Sequence, residues 1–215
     1  FMWESGVVSF GDFVTKSGRK TPFFINTGLY NTGSRIARLG AFYAKAIQSQ
    51  VGVGSFDLLF GPAYKGIPLA VSIAASLFAN HGVDKGFCFN RKESKDHGEG
   101  GHWVGKKPKD GDRVLIVEDV VTAGTAVREC VPMLKAAGEV ELAGLVVSVD
   151  RMEKGKGQAS ALKELADEYG MPVVALVTLD EIMEHLETKK VDGKQLIDPA
   201  LKAKINEYRR QYGAS

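Results

Sequence analysis

Cysteine is scarce in this chain: Cys88 and Cys130 are the only two among 215 residues. They lie far apart, without metal-ligand spacing and below the count of a disulfide framework, so both read as reduced, buried thiols of a cytoplasmic protein. Long apolar runs are also missing. The longest nearly apolar stretch, residues 67–80, is interrupted by Pro68 and Ser72 and falls short of the roughly 20 residues that cross a bilayer. No membrane contact is therefore expected. An excess of one charge is lacking too, since 28 Lys and Arg stand against 26 Asp and Glu. That balance speaks against a nucleic-acid binder, which needs a basic surface for phosphate contacts. No basic-then-apolar leader precedes Lys16, the first basic residue, so no secretory signal is read here. An opening at Phe1 rather than Met suggests a trimmed chain. Repeats of solenoid period and low-complexity tracts are absent. The length predicts a single domain, residues 1–215, and excludes a fused second enzyme.

Glycine is the residue in excess, 25 of 215, or about 12% against a usual ~7%. The order of elements begins to account for it. Residues 7–15 and 21–27 are β-rich on either side of Ser17, Gly18 and Arg19, the pattern of a hairpin. Ile36, Leu39, Tyr43, Ala46 and Ile47 then fall at helical spacing behind Asn31 or Thr32 as a cap, predicting a helix to about Gln50. A buried strand at residues 56–60 and an apolar helix at 66–81 follow. Strands are predicted at 86–90, 114–117, 143–149 and 173–177, with helices at 124–137 and 159–169 and two polar helices at the C-terminus. Strands alternating with helices imply right-handed crossovers and a mostly parallel sheet covered on both faces, an α/β fold. Pro132 inside the 124–137 segment removes a hydrogen bond to the carbonyl of Arg128, which predicts a kink. Ligands of such sheets gather at the carboxyl ends of the strands, so the segments after Phe60, Asn90, Val117 and Val149 carry the functional expectation.

The most informative of these follows the apolar strand Val114, Leu115, Ile116, Val117. Two adjacent acids, Glu118 and Asp119, come next, and then Val120, Val121, Thr122, Ala123, Gly124, Thr125 and Ala126 open a helix. A helix N-terminus carries unpaired amides and partial positive charge, so the turn at 122–126 suits a phosphate. The acids before it suit sugar hydroxyls or a metal, and two adjacent carboxylates are unfavourable without a ligand or cation. Elsewhere, Gly61, Pro62, Ala63, Tyr64, Lys65 and Gly66 offer backbone amides and an ammonium beside a strand end, a set suited to a diphosphate. Arg91, Lys92, Lys95 and His97 run into Gly98, Gly100 and Gly101, a cationic cluster on a glycine-rich connection that fits a lid. His97 and His102 have no third ligand to make a metal site.

The stretch 114–126 resembles the phosphoribosyl pyrophosphate (PRPP) motif of the type I phosphoribosyltransferases. Phe10, Gly11, Asp12, Phe13 with Lys16–Lys20, then Pro22, Phe23, Phe24, Ile25 and Asn26, are similar to the N-terminal region of the orotate phosphoribosyltransferases. Residues 60–68 look like that family's pyrophosphate loop and residues 90–101 like its mobile catalytic loop, about 91–103 in full. The resemblance implies the type I phosphoribosyltransferase fold, with a small hood built largely from residues 1–30. It also implies a cis Ala63–Tyr64 peptide, Mg²⁺ held mainly through PRPP without a direct protein ligand, and a homodimer whose catalytic loops reach across the interface.

The activity implied is transfer of the 5-phosphoribosyl group from PRPP to orotate, giving orotidine 5'-monophosphate and pyrophosphate in pyrimidine (UMP) biosynthesis. Lys95, Asp119 and Lys65 take the catalytic roles. PRPP falls to Lys16, Tyr64, Lys65, Arg91, Lys92, Lys95, His97, Glu118, Asp119 and residues 120–126, namely Val120, Val121, Thr122, Ala123, Gly124, Thr125 and Ala126. Orotate falls to Phe24, Ile25, Lys16, Thr122 and Arg151, whose guanidinium is a planar fork for a carboxylate or carbonyl. Ile25 stands where the family commonly has a second aromatic, and Glu118 replaces the first acid while keeping its charge. Two other readings compete. A phosphoribosyltransferase for another base would share the PRPP motif, but Lys16, Phe24 and Arg151 favour an acidic pyrimidine. A PRPP-sensing regulator bound to nucleic acid is disfavoured by the near-neutral charge and the intact cationic loop.

Overall fold

The computed structural model describes residues 1–15, 18–93 and 102–214. Its centre is a six-stranded sheet of β3 (Leu58–Phe60), β4 (Gly86–Asn90), β5 (Trp103–Gly105), β6 (Arg113–Val120), β7 (Glu141–Asp150) and β8 (Val173–Thr178). The strand order is β5-β4-β3-β6-β7-β8, all parallel except β5, which runs antiparallel to β4. The chain thus winds outward from β3 to one edge and then restarts at β6 on the other side. The reversal between β3 and β6 makes their carboxyl ends the topological switch point, where a crevice opens.

Period-two alternation divides the core between the two faces of the sheet. Leu59, Leu115, Val117 and Val146 pack with α1 (Gly33–Ala46), α2 (Gly66–His81) and α5 (Leu179–Glu187). Leu58, Phe60, Val114, Ile116, Leu145 and Val147 pack with α3 (Thr125–Ala137) and α4 (Ala161–Tyr169). Local signals set the helix ends. The Thr32 side chain accepts from Arg35 N–H at the start of α1, Ser160 does the same for Lys163 in α4, and Thr178 with Glu181 forms a capping box on α5.

The N-terminal hairpin, β1 (Val8–Val14) with β2 (Lys20–Ile25), forms a separate two-stranded sheet. It rests on the C-terminal helix α6 (Pro199–Tyr212), where the Phe23 ring meets Tyr208 edge-on at 5.4 Å. A short ribbon of β9 (Lys190–Val191) and β10 (Lys194–Gln195) joins α5 to α6.

The expected α/β order holds, and the helix at 66–81 and the strand at 86–90 have the bounds read from the sequence. Three features differ. The first long helix is regular only to Ala46 and ends in a π-helical turn, Ile47–Val51. Strand β5 was not foreseen. The helices after β8 are less polar than their composition suggests, because α5 turns Leu179, Ile182, Met183 and Leu186 into the core and α6 buries Ile205 and Tyr208. Helix α3 runs through Pro132 as one element, as its predicted span implied. Among the described residues no helix is long and apolar enough to cross a membrane.

Candidate active site at the sheet switch point

The loop from β3 into α2 and the turn from β6 into α3 meet at the switch point. Close packing in the first loop demands glycine: a Cβ on Gly61 would stand 2.0 Å from the Gly66 carbonyl oxygen, and one on Gly66 would meet the Gly61 backbone at 2.6 Å. The Ala63–Tyr64 peptide between them is cis, as the resemblance implied. Ala63 N–H donates to Asn90 Oδ1 at 2.9 Å, which ties the loop to the end of β4. Tyr64 is exposed, and the Lys92 ammonium lies 5.2 Å from its ring centre.

In the second turn Gly124 adopts φ +71°, the left-handed conformation that glycine takes without a Cβ penalty. It caps α3, so the amides of the first helical turn open toward the crevice. Arg128, one turn into α3, donates to the Ala123 carbonyl and pairs with Glu168 at 2.7 Å and Glu164 at 3.5 Å. These contacts brace the turn from behind. Thr122, Ala123, Thr125 and Ala126 are exposed, whereas Val121 and Gly124 are buried.

Strand β6 extends to Val120, so Glu118 and Asp119 belong to the strand, and each is only 7% exposed. Asp119 Oδ2 accepts from Lys65 Nζ at 2.8 Å and from Thr27 Oγ1 at 2.5 Å. Burial alone would raise the Asp119 carboxyl, but hydrogen bonds with Glu118, Lys65 and Thr27 outweigh it and hold the group below the usual carboxylate range. Glu118 goes the opposite way. Burial, reinforced by its hydrogen bond with Asp119, pushes its pKa from 4.5 up to about 8. The cost of two adjacent acids is thus met by one ammonium, one hydroxyl and one retained proton. Beneath them Tyr43, fully buried, donates its hydroxyl to the Glu118 carbonyl at 2.6 Å.

Other expected site residues fall around this centre. Arg151 follows β7, whose Val149 pairs with Val120 of β6; it is buried and lies 5.3 Å from the Phe23 ring centre. Phe24 is part-exposed on the hairpin and stacks on Phe13 at 5.5 Å. Ile25 is buried opposite Val8, which leaves only its backbone to meet a ligand. Arg91 N–H bonds to the His102 carbonyl at 2.7 Å. Lys16, Lys95 and His97 lie outside the described residues. Thr27, Tyr43, Asn90 and Arg128 were not foreseen as site residues. Thr27 and Tyr43 reach the acids from 92 and 75 residues away, and no local spacing announces such contacts.

The Glu118 shift has a measurable consequence. The unfolded chain releases this proton near pH 4.5 and the folded chain near pH 8, so the folded state binds more protons in between. Stability from this group therefore falls as pH rises from about 4.5 to about 8 and is level on either side. Asp119 acts outside that window, its stabilisation being lost only as pH falls below its ordinary 3.8. Glu118→Gln is expected to gain melting temperature relative to the parent progressively across the window. Parallel pH curves for the two proteins would contradict the assignment.

Comparison with known proteins agrees with the geometry. The family model for the phosphoribosyl transferase domain matches residues 27–171. Over 213 residues the chain is 54% identical to an orotate phosphoribosyltransferase of Clostridium acetobutylicum, covering 99% of this chain and 95% of that protein. It is 51% identical over 220 residues to the orotate phosphoribosyltransferase of Bifidobacterium adolescentis, covering 100% and 95%. Among solved structures, orotate phosphoribosyltransferase from Francisella tularensis superposes with a TM-score of 0.84 at 37% identity, covering 99% of this chain and 97% of that one.

Proposed function

Since the chain belongs to the orotate phosphoribosyltransferases, within the phosphoribosyl transferase domain family, we propose that it transfers the 5-phosphoribosyl group from PRPP to orotate in pyrimidine synthesis. It is a pentosyltransferase that makes orotidine 5'-monophosphate and pyrophosphate. The observation that carries the site reading is the meeting, at one switch point, of the glycine turn at 122–126 that opens α3, the buried Glu118–Asp119 pair and the Lys65 ammonium.

The 5'-phosphate of PRPP sits on the amides and hydroxyls of 122–126, and the ribose hydroxyls meet Glu118 and Asp119. A protonated Glu118 donates and an ionised Asp119 accepts, so the pair satisfies hydroxyls of both senses. The ring nitrogen of orotate attacks the anomeric carbon as the bond to pyrophosphate breaks. The reacting centre gains oxocarbenium character, which the Asp119 charge balances. No protein nucleophile is required; catalysis rests on placing the two substrates and stabilising the leaving diphosphate. Lys65 serves that second task from the β3–α2 loop, joined by Tyr64, Arg91, Lys92 and, from the sequence, Lys16, Lys95 and His97. Orotate lies between Phe24, the backbone at Ile25, Thr122 and Arg151.

Mg²⁺ is read as part of the substrate. Among the described residues no group of three or more His, Cys, Asp or Glu side chains is arranged for a metal, and Asp119 Oδ2 already accepts two hydrogen bonds. The diphosphate oxygens of PRPP are the harder and more numerous ligands. The place of action is the cytoplasm, a setting that suits the free, buried thiols of Cys88 and Cys130.

Residues 1–30 act as a hood over the base, and the working unit is a homodimer in which the 91–103 loop of one subunit covers the PRPP of the other. Helix α2 supports this with exposed Val71, Ala75 and Phe78 at positions i, i+4 and i+7, an apolar stripe of the kind that a two-fold contact buries.

Two experiments test the proposal. Loss of the orotate absorption band is expected only when PRPP and Mg²⁺ are both present, and uracil or adenine in place of orotate should not be consumed. Consumption of another base but not orotate would overturn the function. For the dimer, mixing Lys95→Ala with Asp119→Asn under proven subunit exchange should restore activity, because one composite site regains both a sound loop and a sound pocket. No recovery would rule out shared sites.

A further inference from the structure

Arg151 does not stand alone at the end of β7. Its Nη2 and Nε donate to Glu153 Oε1 at 2.6 and 3.1 Å, and the Tyr208 hydroxyl donates to the same oxygen at 3.0 Å. All three side chains are nearly out of solvent: Arg151 is 8% exposed, Glu153 12% and Tyr208 5%. Glu153 sits two residues from Arg151, but Tyr208 comes from the C-terminal helix. The segment between the two charged residues is fixed from several sides. Met152 has φ +53°, rare for a residue with a long side chain. Its N–H donates to Asp150 Oδ1 at 2.7 Å, and its carbonyl accepts from Ala214 N–H at 2.9 Å. Lys154 N–H bonds to the Tyr212 carbonyl at 2.9 Å, and Glu153 bridges Gly213. The end of the chain is therefore stitched onto the turn that carries Arg151, while the Tyr208 ring supports Phe23 of the hairpin.

A buried guanidinium needs both a countercharge and a fixed plane if its fork is to select one ligand shape. Glu153 supplies both, and Tyr208 in turn fixes Glu153 by occupying the oxygen that Arg151 uses. We propose that Glu153 and Tyr208 are positioning residues for base selection, holding the Arg151 guanidinium in the plane that meets the acidic pyrimidine. The C-terminal helix thereby becomes part of the specificity apparatus. This rests on the reading of Arg151 as an orotate contact given above.

The test uses Tyr208→Phe, which keeps the ring against Phe23 and Tyr212 and removes only the hydroxyl, with Glu153→Gln as the second variant. In the full-length protein, the orotate KM is expected to rise about five-fold for Tyr208→Phe, the size of one lost hydrogen bond, and further for Glu153→Gln. The PRPP KM should stay within about two-fold in both, a split that general loosening of the fold would not produce. An unchanged orotate KM in both variants, or an equal rise for both substrates, overturns the positioning role while the wild-type activity stands. If the wild-type protein fails to consume orotate with PRPP, both the functional reading and this inference fall together.

Discussion

Two carboxyl groups side by side on a buried strand impose the strongest demand in this molecule, because neither water nor a distant charge can relieve them. The chain meets it from three directions. Lys65 arrives from the β3–α2 loop, Thr27 from the segment after the hairpin, and Glu118 keeps a proton that an exposed glutamate would lose. These contacts tie the switch-point loop and the N-terminal region to β6. In the function proposed above, the hydroxyls and phosphates of the substrate would replace or share each of those partners.

The packing around the acids follows from the same demand. Gly61 and Gly66 approach within van der Waals contact so that Lys65 can start α2 beside the Asp119 carboxylate. Tyr43 holds the Glu118 backbone from below, and Arg128 braces the turn that follows. At the neighbouring strand end the device recurs in another form. There a buried arginine is met by Glu153 and Tyr208, and the C-terminal residues close over the turn. Both ends of the chain therefore converge on the carboxyl edge of the sheet, the hairpin from one terminus and α6 from the other.

Much of this was legible in the sequence wherever the signal is local. Apolar runs and the alternation of strands with helices place β4 and α2 at their observed bounds, and the acid pair followed by Thr122, Ala123, Gly124 and Thr125 marks a strand-to-helix turn before any fold is known. Short or long-range features escape such reading. Strand β5 has three residues and gains its identity from pairing with β4. Helix α5 reads as polar by composition because Asp180, Glu181, Glu184, His185 and Glu187 fill the rest of it, yet the spacing of its apolar residues gathers them on one buried face. Thr27, Tyr43, Arg128 and Tyr208 act through partners distant in sequence or through a single carbonyl, and nothing in their neighbours marks them.

The central claim is that the buried acid pair, balanced by Lys65 and Thr27, is the ribose site for PRPP. Calorimetric affinity for Mg·PRPP in the wild-type protein and in Asp119→Asn tests it most directly, since the substitution keeps the side chain's shape while removing the charge that accepts both the ammonium and the sugar hydroxyl. Loss of one charged hydrogen bond to the ligand corresponds to a weakening of about ten-fold or more, and that is the expected result. Unaltered Mg·PRPP affinity in a folded Asp119→Asn protein would contradict the account.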